Sequence, residues 1–350
     1  MALSSVTSAS IVQKWVSDFF SEYVRESGFK PYMGRGQNLP ITVKYELTDV
    51  GKTVNIPLIT KLSGAGVTGQ SLLEGNEEVL NNYNHQIVID WVRNAVAQTE
   101  DQLHWTEIDL LKAAREMLRL WSADKLKNDL ITGLGMIAGK SYASASAAEK
   151  NAWNAANSDR ILFGRLKSNY NATHATALLN IASTATLNRG VVTLMKRIAK
   201  TASPIVRPVR VENGAGREYY VMFAGSLAFR DLKADMNTDN LDGRERNVET
   251  NPIFQDGDLM YDGVVIREIP EIPVTGNVGT ASAQVAPVYL CGAQALGVAW
   301  GMEPAVRQEN RDYGHVKGTA IVEARGVNKL VFNSKDHGMV TGFVAAAADA

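Results

Sequence analysis

Gly64, Gly66 and Gly69 stand at the spacing GxGxxG, after an alternating apolar stretch and a little over twenty residues before Asp90. A dinucleotide site uses this pattern: glycines let the backbone approach a pyrophosphate, and an acidic residue further on holds a ribose hydroxyl. The chemistry also needs a helix starting at the third glycine, so that its free N–H groups face the phosphates. Here the chain continues Gln70-Ser-Leu-Leu-Glu-Gly-Asn-Glu-Glu78. Gly75 weakens any such helix, three carboxylates repel a pyrophosphate, and Pro57 in the preceding stretch does not suit a central parallel strand. A nicotinamide-dependent oxidoreductase using Gly64, Gly66 and Gly69 is therefore the competing reading.

The other chemical patterns are weaker. Gly135, Gly139, Lys140 and Ser141 fall short of a phosphate-binding loop, whose spacing needs glycine where Leu134 stands. Asp235-Met-Asn-Thr-Asp239 opens like a calcium loop, but Asn240 replaces the turn glycine and Arg246 the bidentate glutamate. His85, His104, His174, His315 and His337 are scattered without the paired spacing of a metal helix, and read as surface or locally hydrogen-bonded residues. The single cysteine, Cys291, lies in the apolar run Val288-Tyr-Leu-Cys-Gly292 and reads as a buried small hydrophobe. No catalytic residue, cofactor site or metal site is expected, and the chain is not read as an enzyme.

The elements that carry these residues follow from periodicity. Ile11, Val12, Trp15, Val16, Phe19, Phe20, Tyr23 and Val24 recur in adjacent pairs every fourth residue, which predicts an amphipathic helix stopped by Gly28. Residues 41–47 alternate strictly and predict a strand. After the turn Asp49-Val-Gly-Lys52, Val54, Ile56 and Leu58 resume the alternation, so the two stretches are read as a hairpin, with Pro57 on an edge. A further strand is expected over 86–91, and the glycine-rich run 64–78 between them is loop. Leu111, Ala114, Leu118, Trp121, Leu126, Leu130 and Leu134 predict one long helix over 106–134, about 43 Å at 1.5 Å per residue, with Thr106 and Asp109 as its capping box. The small-residue stretch 142–148 reads as a flexible or weakly helical linker. Helices over 187–200 and 226–234 follow, then strands over 218–223, 264–269, 316–324, 329–332 and 339–344. Helices and hairpins come first and strands later, without β-α-β alternation, so the class is α+β.

Composition bounds the function. Hydrophobic residues make up 45% and charged residues 21%, an ordinary globular balance. With 36 basic against 37 acidic residues, contact with nucleic acid is expected to be local and non-specific. Asp18 and Glu22 interrupt the first apolar segment, so no export signal is read, and no run is long enough to cross a bilayer.

The stretch Leu62-Ser-Gly-Ala-Gly-Val-Thr-Gly-Gln-Ser-Leu-Leu-Glu-Gly-Asn-Glu-Glu78 followed by Ile87-Val-Ile-Asp90 resembles the signature of the major capsid proteins of tailed double-stranded-DNA bacteriophages. Later stations resemble that group too: the helix near Trp121, 219–232, Asn251-Pro-Ile-Phe with Gly257, 289–301, Tyr313-Gly-His, Gly326, Lys329 and Asp336-His-Gly338. The resemblance covers most of the chain and is weakest at 138–160 and 234–250.

The resemblance implies the Hong Kong 97 type capsid fold, with an N-terminal arm, an extended β-hairpin loop, a spine helix, and peripheral and axial domains. The expected division is 1–40 arm, 41–100 extended hairpin region, 101–204 peripheral domain with the spine helix, 205–310 mainly axial domain, and 311–350 closing strands of the peripheral domain. The implied function is self-assembly into hexamers and pentamers of an icosahedral shell enclosing double-stranded DNA. Such a protein is a component of the virion, assembled in the bacterial host cytoplasm, with scaffolding, portal and decoration proteins as possible partners and no membrane. Candidate contacts between subunits are Trp15, Phe19, Phe20, Val54, Ile56, Leu58, Gly64, Gly66 and Gly69. A hairpin cannot bury its apolar face alone, so Val54, Ile56 and Leu58 are expected to find cover on another copy. A different oligomeric scaffold or carbohydrate-binding protein is the remaining alternative.

Overall fold

The computed structural model describes residues 28–45, 51–59, 62, 66–69, 74, 77–78, 82–105, 110–210, 218–240 and 258–349. The expected helix at 11–27, with Trp15, Phe19 and Phe20, lies outside the described residues. So do Gly64, the Thr106 and Asp109 cap, and Arg246.

A long antiparallel hairpin, Leu296–Arg311 with Val316–Lys329, organises the first sheet. Its five strands run in the order Met33–Gly34, Ile41–Lys44, Leu296–Arg311, Val316–Lys329, Asp90–Thr99. The hairpin register shifts between Trp300 and Met302 and again between Met302 and Ala305. Gly301 and Pro304 occupy those two places: glycine weakens a strand, and proline has no N–H to give the ladder. The spine helix, Leu110–Leu134, packs Leu118, Leu126, Leu130 and Leu134 into one core with Ile41, Val298, Trp300 and Ile321.

The second sheet has seven strands. Ile161–Phe163, Met339–Ala345, Val285–Cys291, Glu218–Ala224, Val264–Glu268 and Asp258–Tyr261 follow one another, and Val209–Arg210 pairs with Glu218–Ala224. Every residue of Val285–Cys291 and Met339–Ala345 is buried. Alternate residues serve different cores, as a period of two requires. Tyr220, Met222, Val288 and Leu290 face the helix Arg189–Thr201, while Val221, Phe223, Tyr289 and Cys291 join the core under the spine helix. Coverage of both faces explains why these strands read as largely apolar runs without alternation. The two sheets share sequence stretches: 311–350 gives Val316–Lys329 to the first and Met339–Ala345 to the second, and 205–310 gives Leu296–Arg311 to the first.

Three sequence expectations need correction. Residues 41–47 and 54–58 do not pair with each other. Ile41–Lys44 runs parallel to Leu296–Ala299 in the first sheet, while Thr53–Ile59 pairs antiparallel with Asn82–Val88, placing the glycine-rich run at the tip of this short hairpin. The stretch 142–148, read as a flexible or weakly helical linker, runs into the helix Ala147–Ala156, started by a capping box in which the Glu149 N–H donates to Ser146 Oγ (3.3 Å) and the Ser146 N–H to Glu149 Oε2 (2.8 Å). The C-terminal third holds one long hairpin rather than short strands alone.

Candidate assembly surface

The short hairpin is rooted in the subunit and opens outward. Val54 is 4% exposed and lies with Ile87 and Ile89 against Ala299, Ala324, Leu330 and Phe332 of the long hairpin and its continuation. Ile56 and Leu58 are half-buried and pack on the same cluster. The expectation that this face finds cover only on another copy therefore fails for Val54, because the base of the long hairpin supplies it. The opposite face is uncovered: Ile59 is 64% exposed and Val88, which pairs with Thr53 at the foot, is more than half exposed, as are Leu62 beyond the strand and Trp91 at the start of Asp90–Thr99.

Gly326 permits the close approach at the foot. A Cβ there would collide with the Val88 carbonyl oxygen, so the short hairpin could not lie against the long one. The tip glycines have a different reason. Gly66 and Gly69 hold φ of 68° and 73°, the left-handed region that glycine enters without strain, and nothing lies within 4 Å of a Cβ built on either. They shape the backbone and make no packing contact.

The segment 329–336, whose Leu330 and Phe332 cover the foot, carries a buried polar network. Lys329 Nζ meets Asp336 Oδ2 at 2.8 Å, and both side chains are almost wholly buried. Trp153 Nε1 donates to the same oxygen (3.1 Å), the Asp336 N–H donates to Asn157 Oδ1 (2.8 Å), and Arg160 donates to the Asp336 carbonyl. Arg160 also pairs with Asp159, which accepts from the Ser203 N–H (2.9 Å) and from Lys335 (3.3 Å). Burial pushes the Asp159 carboxyl up, but Arg160, Ser203 and Lys335 together outweigh it and bring it down to about 2. Beside Trp153, His174 is held by the Tyr142 hydroxyl (2.8 Å) among the rings of Tyr142, Trp153, Phe163 and Phe343. Burial, helped by the nearby Lys150 charge, lowers its pKa to about 4.

A second polar group locks the spine helix to the long hairpin. Glu323 accepts from Arg325 Nε (2.9 Å) and from Ser122 of the helix (3.3 Å), and Arg325 reaches Asp129 of the helix at 2.9 Å. Burial raises the Glu323 carboxyl above the usual range, and Arg325 opposes that shift.

The structure places the other sequence motifs in structural roles. The strand before Gly64 belongs to a two-stranded antiparallel sheet, whereas a dinucleotide site needs a parallel one. Asp90 accepts from the Trp91 N–H at 3.0 Å. Ala138 and Gly139 form a tight turn between Ile137 and Lys140, and Lys140 is paired with Glu149 (2.6 Å). Asp235 lies on the helix Ser226–Asn240 and binds Arg189 through both its N–H (3.0 Å) and Nε (3.1 Å), so it opens no calcium loop. Among the described residues no group of three or more histidine, cysteine or carboxylate side chains is arranged to hold a metal. Cys291 is fully buried, and burial pushes its thiol up.

A sequence profile described as "Phage capsid protein" matches residues 4–348. The chain belongs to this family. A major capsid protein of Pseudomonas phage KPP25 is 28% identical over 364 residues, covering 95% of this chain and 94% of that protein. Among solved structures, the capsid asymmetric unit of cyanophage Pam1 is 40% identical with a TM-score of 0.85, covering 93% of this chain and 94% of that one. The capsid of Ralstonia phage GP4 matches at 23% identity and a TM-score of 0.73, covering 93% and 92%. The α+β fold is thus the Hong Kong 97 type capsid fold, and the protein is a shell-forming structural component of a phage virion. The oxidoreductase reading has no support in the geometry or in these relatives.

Sequence reasoning missed two exposed aromatics. Trp91 stands at the start of Asp90–Thr99, and Tyr313 is fully exposed at the turn of the long hairpin, where Asp312 and Tyr313 have φ of 51° and 52°. The Asp-Tyr-Gly turn was the available signal for Tyr313, but it counts only once Leu296–Arg311 is seen as a strand.

Proposed function

We propose that this chain closes with copies of itself, as hexamers and pentamers, into an icosahedral shell around double-stranded DNA, and that the short hairpin is its main reach to the neighbouring subunit. The observation that carries this is the uncovered face of that hairpin: Val54 is sealed within the subunit, whereas Ile59 and Val88 on the other face, and Leu62 beyond the strand, lie open. Exposed apolar residues on a thin two-stranded element are stabilised when a partner covers them. On this reading Ile56, Leu58, Gly66 and Gly69 act between copies, as do Trp15, Phe19, Phe20 and Gly64. The peripheral and axial domains then correspond to the five-stranded and seven-stranded sheets, each drawing strands from separate stretches of chain. Assembly in the host cytoplasm, DNA contact through local patches, and scaffolding, portal and decoration partners complete the proposal. Many weak contacts between identical copies give a strong shell through multivalency.

Electron microscopy of the purified chain, alone and with a scaffolding protein, is the test. Closed shells are expected. A species that stays monomeric under all conditions, scaffold included, overturns the reading. Removal of the residues before Gly36 should lower shell yield more than it lowers folding of the monomer.

A further inference from the structure

Between Lys61 and Arg93 the chain carries no lysine or arginine, while Glu74, Glu77 and Glu78 stand together at the tip of the short hairpin and are exposed. On a chain with 36 basic and 37 acidic residues, the tip is a local excess of negative charge. Leu62, which follows the strand Thr53–Ile59, is 52% exposed beside it in sequence.

The same subunit carries a surface of the opposite sign, with the Asp159 carboxylate at its centre. Arg160 Nη2 and Lys335 Nζ each reach that carboxylate at 3.3 Å, and Lys167 Nζ donates to the Asp159 carbonyl oxygen (3.2 Å). The loop 201–207 crosses the same place, where Lys335 donates to the Ser203 carbonyl (2.9 Å) and Arg160 to the Pro204 carbonyl (3.1 Å). The Val206 N–H donates to the Ala199 carbonyl (3.0 Å), which draws together Lys200, on the last turn of the helix Arg189–Thr201, and Arg207 beyond the loop. Both are exposed; Arg207 donates to Asn38 Oδ1 (3.3 Å), and among the described residues neither meets a carboxylate. Burial lowers the pKa of His337, and the positive charges of Arg160 and Arg207 lower it further, which puts the two arginines in one neighbourhood. Five cations thus face one carboxylate. Leu166 and Ile205, in the segments that carry Lys167 and Arg207, are 60% and 63% exposed.

Exposed apolar residues among unmatched cations suit a partner that presents an apolar residue among carboxylates, because complementary charge steers the encounter and fixes its register. The hairpin tip has that chemistry. Seven paired residues at about 3.3 Å each carry the tip roughly 20 Å out from the foot, whereas Lys335 lies in the segment that covers the foot. The tip of one copy is therefore placed for the patch of another. We infer that the surface formed by Lys167, Lys200, Arg207 and Lys335 receives the acidic hairpin tip of a second copy of this chain. The inference rests on the shell-forming reading of the short hairpin and adds to it the surface on which the tip lands.

Reciprocal charge reversal in the full chain is the test, read as shell yield by electron microscopy, with subunit folding followed by circular dichroism. Lys200→Glu with Arg207→Glu should lower shell yield about tenfold or more, Glu74→Lys with Glu77→Lys should do the same, and all four together should recover it to within about threefold. Carbodiimide, which joins a carboxylate to a lysine amine where the two touch, gives a second reading that needs no variant. In assembled shells it should link Glu74, Glu77 or Glu78 to Lys167, Lys200 or Lys335, and in the monomer it should not. Absence of those links from the shells overturns the inference, and decides it if a reversed chain does not fold. Normal shells from either reversed pair, or no recovery in the combined variant while both pairs fold, also overturns it. Normal shells holding less DNA from Lys200→Glu with Arg207→Glu would assign the patch to phosphates instead. An unmodified chain that forms no shell under any condition removes the shell-forming reading itself, whereas any of these failures beside normal unmodified shells removes the docking surface alone.

Discussion

At the foot of the short hairpin, Val54 and Ile87 are closed against Leu330 and Phe332, and Gly326 is there to let two backbones touch. At the tip, Gly66 and Gly69 adopt the same left-handed region as many tight turns, yet nothing lies near enough to touch a side chain placed on them. The foot is held by burial, at about 1.5–3 kcal/mol for each large side chain, and by a polar network that tolerates little displacement. Gly66 and Gly69 at the tip depend on backbone conformation rather than on packing. A subunit divided this way can fold before it meets a partner and still present its tip to a neighbour. Changes at the foot should therefore act on folding, and changes at the tip on assembly.

The strongest test of that division is Lys329→Met. It removes one partner of a fully buried pair and leaves the Asp336 carboxylate facing only the Trp153 indole and nearby backbone. Breaking such a pair costs about 3–5 kcal/mol. The unfolding midpoint in denaturant should fall accordingly, and a change below about 1 kcal/mol would mean that the network does not secure the foot.

The next effect is acid sensitivity through His174, which supports Trp153 from behind. Its folded pKa, about 4, lies below the ordinary value of 6.5, so the folded state binds fewer protons than the unfolded state between those values. Stability from this group is complete above about pH 6.5 and is lost as pH falls to about 4, by up to about 3 kcal/mol. Asp159 acts in a lower window: its contribution is complete above its ordinary value of 3.8 and is lost as pH falls towards about 2. Thermal unfolding between pH 7 and 4 should therefore slope downward, and His174→Phe should flatten that slope. An unchanged slope in the variant would assign the acid sensitivity elsewhere.

The legibility of the sequence divides along a related line. The spine helix was readable because Leu118, Leu126, Leu130 and Leu134 repeat on one face, and Met339–Ala345 because its run is apolar except at Thr341. The partner of Thr53–Ile59 was not, since alternation identifies a strand but not what it pairs with, and the true partner lies beyond the glycine-rich run. Leu296–Arg311 was hidden by Gly297, Gly301, Pro304 and the charged residues near its end. The capping box of Ala147–Ala156 sat inside a run of serine and alanine that resembles a linker. Of the candidate surface, Gly66 and Gly69 stood out by spacing alone. Trp153, Lys329 and Asp336 did not, because their chemistry exists only after folding brings them together.

The smallest expected effect on the subunit is also the one that separates foot from tip most sharply. Gly66→Ala and Gly69→Ala each place a Cβ on a backbone with positive φ, in open space. Each should cost about 1 kcal/mol through conformation alone, and much of that can be relieved by local rearrangement of the tip. The double variant should keep the unfolding midpoint of the subunit within that modest range, because no packed residue moves. A loop of altered shape, however, meets the neighbouring copy at every equivalent contact in the shell, and multivalency multiplies a small loss at each one. Shell yield by electron microscopy should therefore fall steeply while the monomer remains folded. Normal shells from the double variant would show that the shape of the tip is not used in assembly. A large loss of subunit stability would show instead that the tip is fastened to its own chain, and the contrast between foot and tip would disappear.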